Sequence, residues 1–348
     1  MWLHLPGLLL GHLLAGNAPA VAVHDGSSPQ LAIDTRGTVR MVFGKADTIF
    51  AVTSLDQGKT FSTPVVVGVV HDMHLGNTRG PVLASSRSRT LVVAGDKGGS
   101  LHQFMLNHAT NKWKELPRTL NDAPGSAPEG LITVSADSID GFYATWLDTR
   151  IEKRNQLFFS KAATTPTDAR WSPNIRVNTS PLGRACECCR PSIAVAQGSV
   201  AIMYRNNLDN SRDMYLTTSR DGGRTFAEMK RLGNGTWKLN GCPMDGGALG
   251  IGTAGKISTV WRRENVMYTA HPGETEVVLG NGRQPMMSVR GTSVLLIWQD
   301  GSHIKMKPAG GAETLVGDGK APQVLALPDG RALTAWENDG RVYVRRME

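Results

Sequence analysis

Apolar residues fall in short runs separated by glycine-containing turns, and one longer unit built from such runs recurs along the whole chain. Each unit opens at a proline before a short apolar strand, crosses a turn, and ends a second strand at an aromatic residue followed by polar ones. The openings lie near Pro29, Pro81, Pro128, Pro191, Pro243, Pro285 and Pro322. No run has the length and 3.6-residue periodicity of a long helix, so the pattern predicts an all-β chain.

The spacing of these seven openings is typical of four-stranded propeller blades. It predicts a single β-propeller domain over residues 21–348 with seven blades, or six if the short C-terminal unit is not independent. The last unit has room for about three strands, and the segment Ala20–His24 can supply a fourth. Pairing of that N-terminal strand with the last blade would close the ring and remove the open sheet edges.

Two octapeptides share the pattern Ser-x-Asp-x-Gly-x-Thr-Phe, and each follows a β-rich run. In such a turn the aspartate accepts hydrogen bonds from the backbone, glycine supplies a positive φ, and phenylalanine returns to the core. The residues are Ser54, Asp56, Gly58, Thr60 and Phe61 in the first copy, and Ser219, Asp221, Gly223, Thr225 and Phe226 in the second.

These octapeptides resemble the Asp box of the bacterial sialidase-like (BNR-repeat) β-propellers. The resemblance implies, for an exo-α-sialidase-type glycoside hydrolase, three arginines that clamp the substrate carboxylate, a tyrosine nucleophile supported by a glutamate, and an aspartate acid/base. The candidates are Arg150, Arg205, Arg262, Tyr268, Glu264 and Asp148, with Asp300 as a second candidate acid. The family's Arg-Ile-Pro motif is not present, and its nearest counterpart is Arg79-Gly-Pro81.

All four cysteines lie in two segments, each just before the opening of a unit. Because both segments connect one blade to the next, they are expected on one face, near Arg205 and Arg262. Three interpretations remain open: disulfides, a redox dithiol, or a soft metal site for copper, or less well zinc. The candidate metal ligands are Cys186, Cys188, Cys189, Cys242 and Met244. A disulfide from the first segment to Cys242 is the competing interpretation, and His71, Met73 and His74 lie in the equivalent loop before the second unit.

Composition and the N-terminus limit the partners and the location of the chain. The net charge is +8, yet no basic run exceeds two residues, so nucleic-acid binding is not expected. Residues 1–20 combine a short apolar stretch with an Ala-x-Ala pattern, which predicts a signal peptide and a periplasmic or extracellular protein. That stretch is too short and broken to span a membrane, so no transmembrane span is expected in the mature chain.

The combined expectation is an exported, sialidase-like propeller that binds a ligand or a soft metal through the cysteine-rich face. The ligand can be a small molecule, a glycan or a protein. The alternatives are hydrolysis of acidic sugars by the catalytic set named above, and a protein-docking scaffold in which the cysteines form disulfides.

Overall fold

The computed structural model describes residues 18–76, 78–164, 169–178 and 184–347. They form seven antiparallel sheets of four or five strands, arranged as the blades of a β-propeller. The prediction of an all-β, seven-bladed propeller is confirmed, and the short C-terminal unit is a complete blade. The predicted signal peptide falls mainly in residues 1–17, which lie outside the described residues.

The strands follow one another in blade order, with one N-terminal strand before the first blade. In the first half of the chain they are β1 (Val21–Asp25), β2 (Ser27–Ile33), β3 (Val39–Lys45), β4 (Thr48–Ser54), β5 (Val65–Val69), β6 (Val82–Ser85), β7 (Arg89–Gly95), β8 (Leu101–Asn107), β9 (Lys112–Glu115), β10 (Ile132–Ala136), β11 (Gly141–Asp148), β12 (Gln156–Thr164), β13 (Ala169–Trp171) and β14 (Ile175–Asn178). In the second half they are β15 (Arg184–Ala185), β16 (Ser192–Ala196), β17 (Ser199–Asn207), β18 (Met214–Ser219), β19 (Lys230–Arg231), β20 (Ala248–Ile251), β21 (Ile257–Arg263), β22 (Val266–Ala270), β23 (Val277–Asn281), β24 (Arg283–Arg290), β25 (Ser293–Asp300), β26 (His303–Pro308), β27 (Thr314–Asp318), β28 (Lys320–Ala326), β29 (Ala332–Asn338) and β30 (Arg341–Met347).

Blades 1 and 2 are β2–β5 and β6–β9, and blades 5 and 6 are β20–β23 and β24–β27. Blade 3 adds β14 beside β12, and blade 4 adds β15 beside β17. A 3-10 turn at Thr253–Gly255 is the one helical element among the described residues. No helix within those ranges has the length and apolar character needed to cross a membrane.

The seventh blade joins the two ends of the chain. Strands β28, β29 and β30 are completed by β1, whose Val21 pairs with Val344 in an antiparallel register. The register shifts once between Ala22 and His24, which marks a β-bulge. The outer edge of β30 is therefore covered by a strand from the opposite end of the sequence.

The hydrophobic core lies between blades rather than in one central mass. The main buried clusters each join two neighbouring sheets around the ring. The aromatic residues that end the second strands lie in these interfaces and are at most 3% exposed: Trp146, Tyr204, Trp261, Trp298 and Trp336. The axis is thus left free of this core, and the side chains at the openings of the blades can line it.

Both octapeptide turns have the hydrogen bonds expected of an Asp box. In the second copy Asp221 Oδ1 accepts from the Thr225 amide at 3.0 Å, and Gly223 N donates to Ser219 Oγ at 2.8 Å. In the first copy Asp56 Oδ1 accepts from the Thr60 amide at 2.9 Å. These turns join the third and fourth strands of blades 1 and 4, so they lie on the face opposite the blade-to-blade connections.

The glycine of each turn packs against the preceding blade. A Cβ placed on Gly58 would lie 2.8 Å from Leu333 Cδ1 of blade 7, and one on Gly223 would lie 2.4 Å from Phe159 Cζ of blade 3. The second anchor, Phe226, meets Phe159 edge-on at 5.0 Å between ring centroids. Each octapeptide therefore fixes a turn and packs its blade against a neighbour.

Candidate functional site: the axial cavity and the thiol cluster

A cavity of about 290 Å³ opens on the propeller axis at the face that carries the blade-to-blade connections. Three arginines line it, Arg79, Arg190 and Arg283, each at the opening of a different blade. Those blades are the second, fourth and sixth, so the three guanidinium groups reach the axis from alternate blades. The remaining lining residues include Ser28, Gln30, Thr78, Asp245, Gln284, Pro285, Met286, Gln299, Lys320, Pro322, Gln323 and Glu337.

The three arginines differ in their hydrogen-bond and ion-pair partners. Arg79 donates from Nε to the Glu129 carbonyl at 2.8 Å and pairs with the Glu129 carboxylate at 2.5 Å. Within the described ranges, the Arg190 side chain makes one hydrogen bond, a 3.9 Å contact from Nη2 to Met286 Sδ, and Arg283 makes none. Burial lowers the pKa of the Arg190 guanidinium to about 10, so it stays charged at neutral pH. Arg190 is therefore a half-buried cation without a carboxylate partner among these residues.

Two carboxylates complete the cavity wall. Glu337 accepts from the Ser28 amide at 2.5 Å and pairs with Lys320 at 3.2 Å. Asp245 Oδ2 accepts from the Gln284 amide at 2.7 Å, whereas its buried Oδ1 has no hydrogen-bond partner among the described residues. A buried acceptor without a donor is uncommon, because leaving it unsatisfied costs free energy.

Two of the predicted clamp arginines, Arg205 and Arg262, lie together, but their guanidinium groups bond to other groups of the protein. The guanidinium of Arg205 donates to three backbone carbonyls, those of Asp245, Arg212 and Arg262, at 2.7–2.9 Å. Arg262 pairs with Asp245 Oδ2 at 3.1 Å and donates to the Pro243 carbonyl. Both guanidinium groups lie over the Trp237 ring at 5.2 Å. They hold the segment 243–245 in place and do not line the cavity.

The third predicted clamp residue, Arg150, lies apart from these two. It contacts both oxygens of Asp148, at 2.9 and 2.8 Å, and pairs with Asp122. Asp148 is fully buried and also accepts from Trp146 Nε1 at 2.9 Å. This pair is a network within blade 3, away from the axial cavity.

The predicted Tyr–Glu pair is not joined by a hydrogen bond in the described residues. Tyr268 stacks on Trp261 at 6.2 Å, and the Arg263 guanidinium lies 3.9 Å from its ring centroid. Glu264 is exposed in the turn between β21 and β22. The alternative acid, Asp300, pairs with Lys305 at 2.8 Å.

The four cysteines lie together next to the cavity. Cys188 and Cys242 form a disulfide, which is a bridge from the first cysteine segment to the second, as predicted. Cys186 and Cys189 are free, with their sulfurs 3.2 Å apart. The Cys188 sulfur is 3.7 Å from that of Cys186 and 3.9 Å from that of Cys189. Cys186, Cys188 and Cys189 are at most 3% exposed, whereas Cys242 is exposed.

The two free thiols differ in acidity because their surroundings differ. A hydrogen bond from Cys189 is the main cause that lowers the pKa of Cys186 to about 7, with help from Arg205 and Arg212. Burial raises the pKa of Cys189 well above its usual value. The nearest guanidinium is that of Arg212, whose Nη1 lies 3.4 Å from the Cys186 sulfur.

The other candidate soft ligands are in the connections before blades 5 and 2. Met244 is 38% exposed in the connection before blade 5. In the connection before blade 2, His74 contacts the Pro128 carbonyl at 2.9 Å, Met73 is buried, and His71 is exposed near Asp47. Among the described residues, the group with metal-ligand spacing is Cys186, Cys188 and Cys189.

Sequence reasoning selected the arginines at the ends of second strands and missed those at the blade openings. A signal was present: Arg79 and Arg283 each stand two residues before an opening proline, and Arg190 stands directly before one. In a propeller the first strand of each blade is the innermost, so residues at its start face the axis.

No protein-family model matches this sequence, and no curated protein matches it. Among solved structures, the chain is similar to a polysaccharide lyase, ulvan lyase, bound to -[GlcA(1-4)Rha3S]-, with a TM-score of 0.61, 10% identity, and coverage of 95% of this chain and 96% of that one. It is also similar to virginiamycin B lyase from Staphylococcus aureus, with quinupristin (TM-score 0.56, 12% identity, 95% and 98% covered). A third similar structure is an α-L-arabinofuranosidase from Fusarium graminearum with an iminosugar inhibitor (TM-score 0.54, 12% identity, 95% and 98% covered). At these identities the likeness establishes the propeller fold alone.

Proposed function

We propose that this chain is an exported binding protein for a small acidic sugar, which it takes up in the axial cavity. Within the propellers, we place it with the sialidase-like type because of its two Asp-box turns. The observation that carries the proposal is the set of three arginines, Arg79, Arg190 and Arg283, that line one cavity. Among the described residues, the guanidinium of Arg190 has no carboxylate partner, and its one side-chain hydrogen bond is to Met286 Sδ.

The cationic side of the cavity favours a carboxylate. Guanidinium groups offer paired N–H donors that match the two oxygens of a carboxylate. Arg190 and Arg283 keep these donors available, while Arg79 is anchored by Glu129 and adds positive charge. A ligand carboxylate would compensate the partly desolvated charge of Arg190.

The rest of the wall favours hydroxyl groups. Four glutamines line the cavity, and a primary amide can both donate to and accept from a hydroxyl. The volume of about 290 Å³ lies at the lower end of the range for small-molecule pockets, so the cavity suits one sugar unit better than a long chain.

We assign binding rather than sialidase-type hydrolysis. No tyrosine lies among the described residues that line the cavity, so a phenol nucleophile is missing from its wall. The carboxylates that do line it, Asp245 and Glu337, are engaged with Arg262 and Lys320. Export is part of the proposal, because the Cys188–Cys242 disulfide suits an oxidising compartment.

Isothermal titration with glucuronate and galacturonate, and with glucose and galactose as neutral counterparts, tests this assignment. We expect saturable binding of the acidic sugars that weakens with salt. Arg190→Gln should weaken it by about 10- to 100-fold, as expected for a charge-assisted hydrogen bond. Arg220→Gln is the matched control, because Arg220 is exposed in the Asp-box turn on the opposite face.

Three results would overturn the proposal. They are equal affinity for acidic and neutral sugars, no binding of either, or the same effect from both arginine variants. Release of reducing ends from an acidic oligosaccharide would replace binding with hydrolysis as the function.

A further inference from the structure

The thiol cluster is defined as Cys186, Cys188, Cys189 and Cys242. None of these four residues lines the axial cavity. The sulfur–sulfur distances among Cys186, Cys188 and Cys189 are 3.2, 3.7 and 3.9 Å. Three thiolates bound at about 2.3 Å in a plane around a metal ion are separated by about 4.0 Å. Two of the three distances lie close to that separation, and the third requires a small opening of the Cys186–Cys189 pair.

The surroundings favour a negatively charged metal–thiolate group. A monovalent or divalent cation bound by three or four thiolates carries a net negative charge, which is costly to bury without compensation. Arg212 lies 3.4 Å from the Cys186 sulfur, and Arg205, which is 1% exposed, accepts a hydrogen bond from the Cys186 amide at its backbone carbonyl, at 2.8 Å. Their two positive charges offset the charge of such a group.

The disulfide determines how many thiols the cluster can offer to a metal ion. While Cys188 and Cys242 are bonded to each other, only Cys186 and Cys189 carry thiols. Cys242 is the exposed half of the bridge and the other three sulfurs are buried, so a soluble thiol reaches the cluster at Cys242.

We propose that the thiol cluster is a soft-metal site for Cu(I) that is opened by reduction of the Cys188–Cys242 disulfide. A thiolate of a dithiol reductant attacks the Cys242 sulfur and releases Cys188 as a thiolate, which takes up a proton. The second thiol of the reductant resolves the mixed disulfide and releases Cys242, so the reductant loses two electrons and becomes a disulfide. Cu(I) then binds the sulfurs of Cys186, Cys188 and Cys189, and their thiol protons pass to solvent.

The test compares the oxidised and the reduced protein without any substitution. Thiol counting after denaturation should give two thiols before reduction with a phosphine and four after it. Each form is then titrated anaerobically with Cu(I), supplied as its acetonitrile complex, against the chelator bathocuproine disulfonate. We expect about one equivalent of Cu(I) in the reduced form and at least tenfold weaker retention in the oxidised form.

Variants separate the cluster from nonspecific binding. Cys186→Ser and Cys189→Ser should each lose copper in the reduced form, whereas Asn240→Ala, a change at an exposed position in the same connection as Cys242, should retain it. Circular dichroism identifies any variant that fails to fold, and the comparison of the two wild-type forms does not depend on the variants. The proposal fails if the reduced protein, with four titratable thiols, leaves Cu(I) with the chelator, or if both forms bind equally. Retention of Zn(II) without Cu(I) would overturn the copper assignment.

Discussion

Two adjacent glycines in the second octapeptide turn allow the contribution of blade-to-blade packing to be measured separately from backbone strain. Gly222 and Gly223 both have positive φ, 72° and 86°. An alanine Cβ at position 222 would first meet Lys161 Nζ at 3.2 Å, the mobile end of a flexible side chain. At position 223 it would lie 2.4 Å from Phe159 Cζ and 2.6 Å from Cε1.

The two substitutions should therefore differ in cost. An alanine in the left-handed region costs about 1–2 kcal/mol, and this applies at both positions. Phe159 is 1% exposed and held edge-on by Phe226, so its ring cannot move away, and overpacking adds about 1–3 kcal/mol at position 223 only. We expect Gly222→Ala to lower the free energy of unfolding by about 1–2 kcal/mol, and Gly223→Ala by about 2–5 kcal/mol.

Urea unfolding followed by tryptophan fluorescence measures both values. A double variant tests the cause: with Phe159→Leu in place, Gly223→Ala should cost only the backbone contribution, so the two changes are not additive. Equal destabilisation by the two single variants, or full additivity in the double variant, would refute the account of packing given above.

Three further predictions concern acid stability, thiol reactivity and ring closure. Burial alone would raise the pKa of Asp56, but hydrogen bonds from Thr60 and Ser54 lower this pKa from 3.8 to about 2. The ionised Asp56 carboxylate therefore stabilises the folded protein above about pH 4, and this stabilisation is lost as the pH falls to 2. Asp56→Asn should flatten the dependence of the unfolding midpoint on pH in this range, and an unchanged acid slope would contradict the pKa assignment. Because Cys186 and Cys189 are both buried, they should react with iodoacetamide much more slowly in the native protein than in urea-unfolded protein; rapid modification of either thiol in the native protein, detected by mass mapping, would contradict this. Removal of residues 18–26 should uncover the edge of β30, lower the melting temperature and promote association of the protein, which light scattering detects. A monomer of unchanged stability would show that β1 is dispensable.

The sequence predicted the parts of the fold that are encoded locally. The octapeptide turns are specified by residues within eight positions, and hydrogen bonds such as that from the Thr225 amide to Asp221 Oδ1 form as the pattern indicates. The aromatic that ends a second strand, such as Trp146, is buried because strand alternation and blade position together place it in an interface. Repetition of these local signals was sufficient to predict seven blades.

The site depends on contacts that no local pattern contains. Arg205 has the sequence context of a rim residue, yet its guanidinium donates to the carbonyls of Asp245, Arg212 and Arg262. Two of these partners, Asp245 and Arg262, are brought to Arg205 by the packing of the next blade. Arg190 reaches the axis because seven inner strands close a ring, a condition that involves the whole chain. Similarly, spacing left three cysteine pairings open, and the structure joins Cys188 to Cys242 across two blades.

The pairing of β1 with β30 has a consequence for the order in which the protein matures. Val21 is among the first residues of the described chain to be synthesised, and its partner Val344 is among the last. The ring cannot close until β30 has left the ribosome, and until then β1 and the unfinished seventh blade both expose strand edges. Such edges bind chaperones and other nascent chains. A circular permutant that begins in a turn of another blade would place β1 directly after β30, turn this distant pairing into a hairpin, and shorten the interval in which the chain is vulnerable.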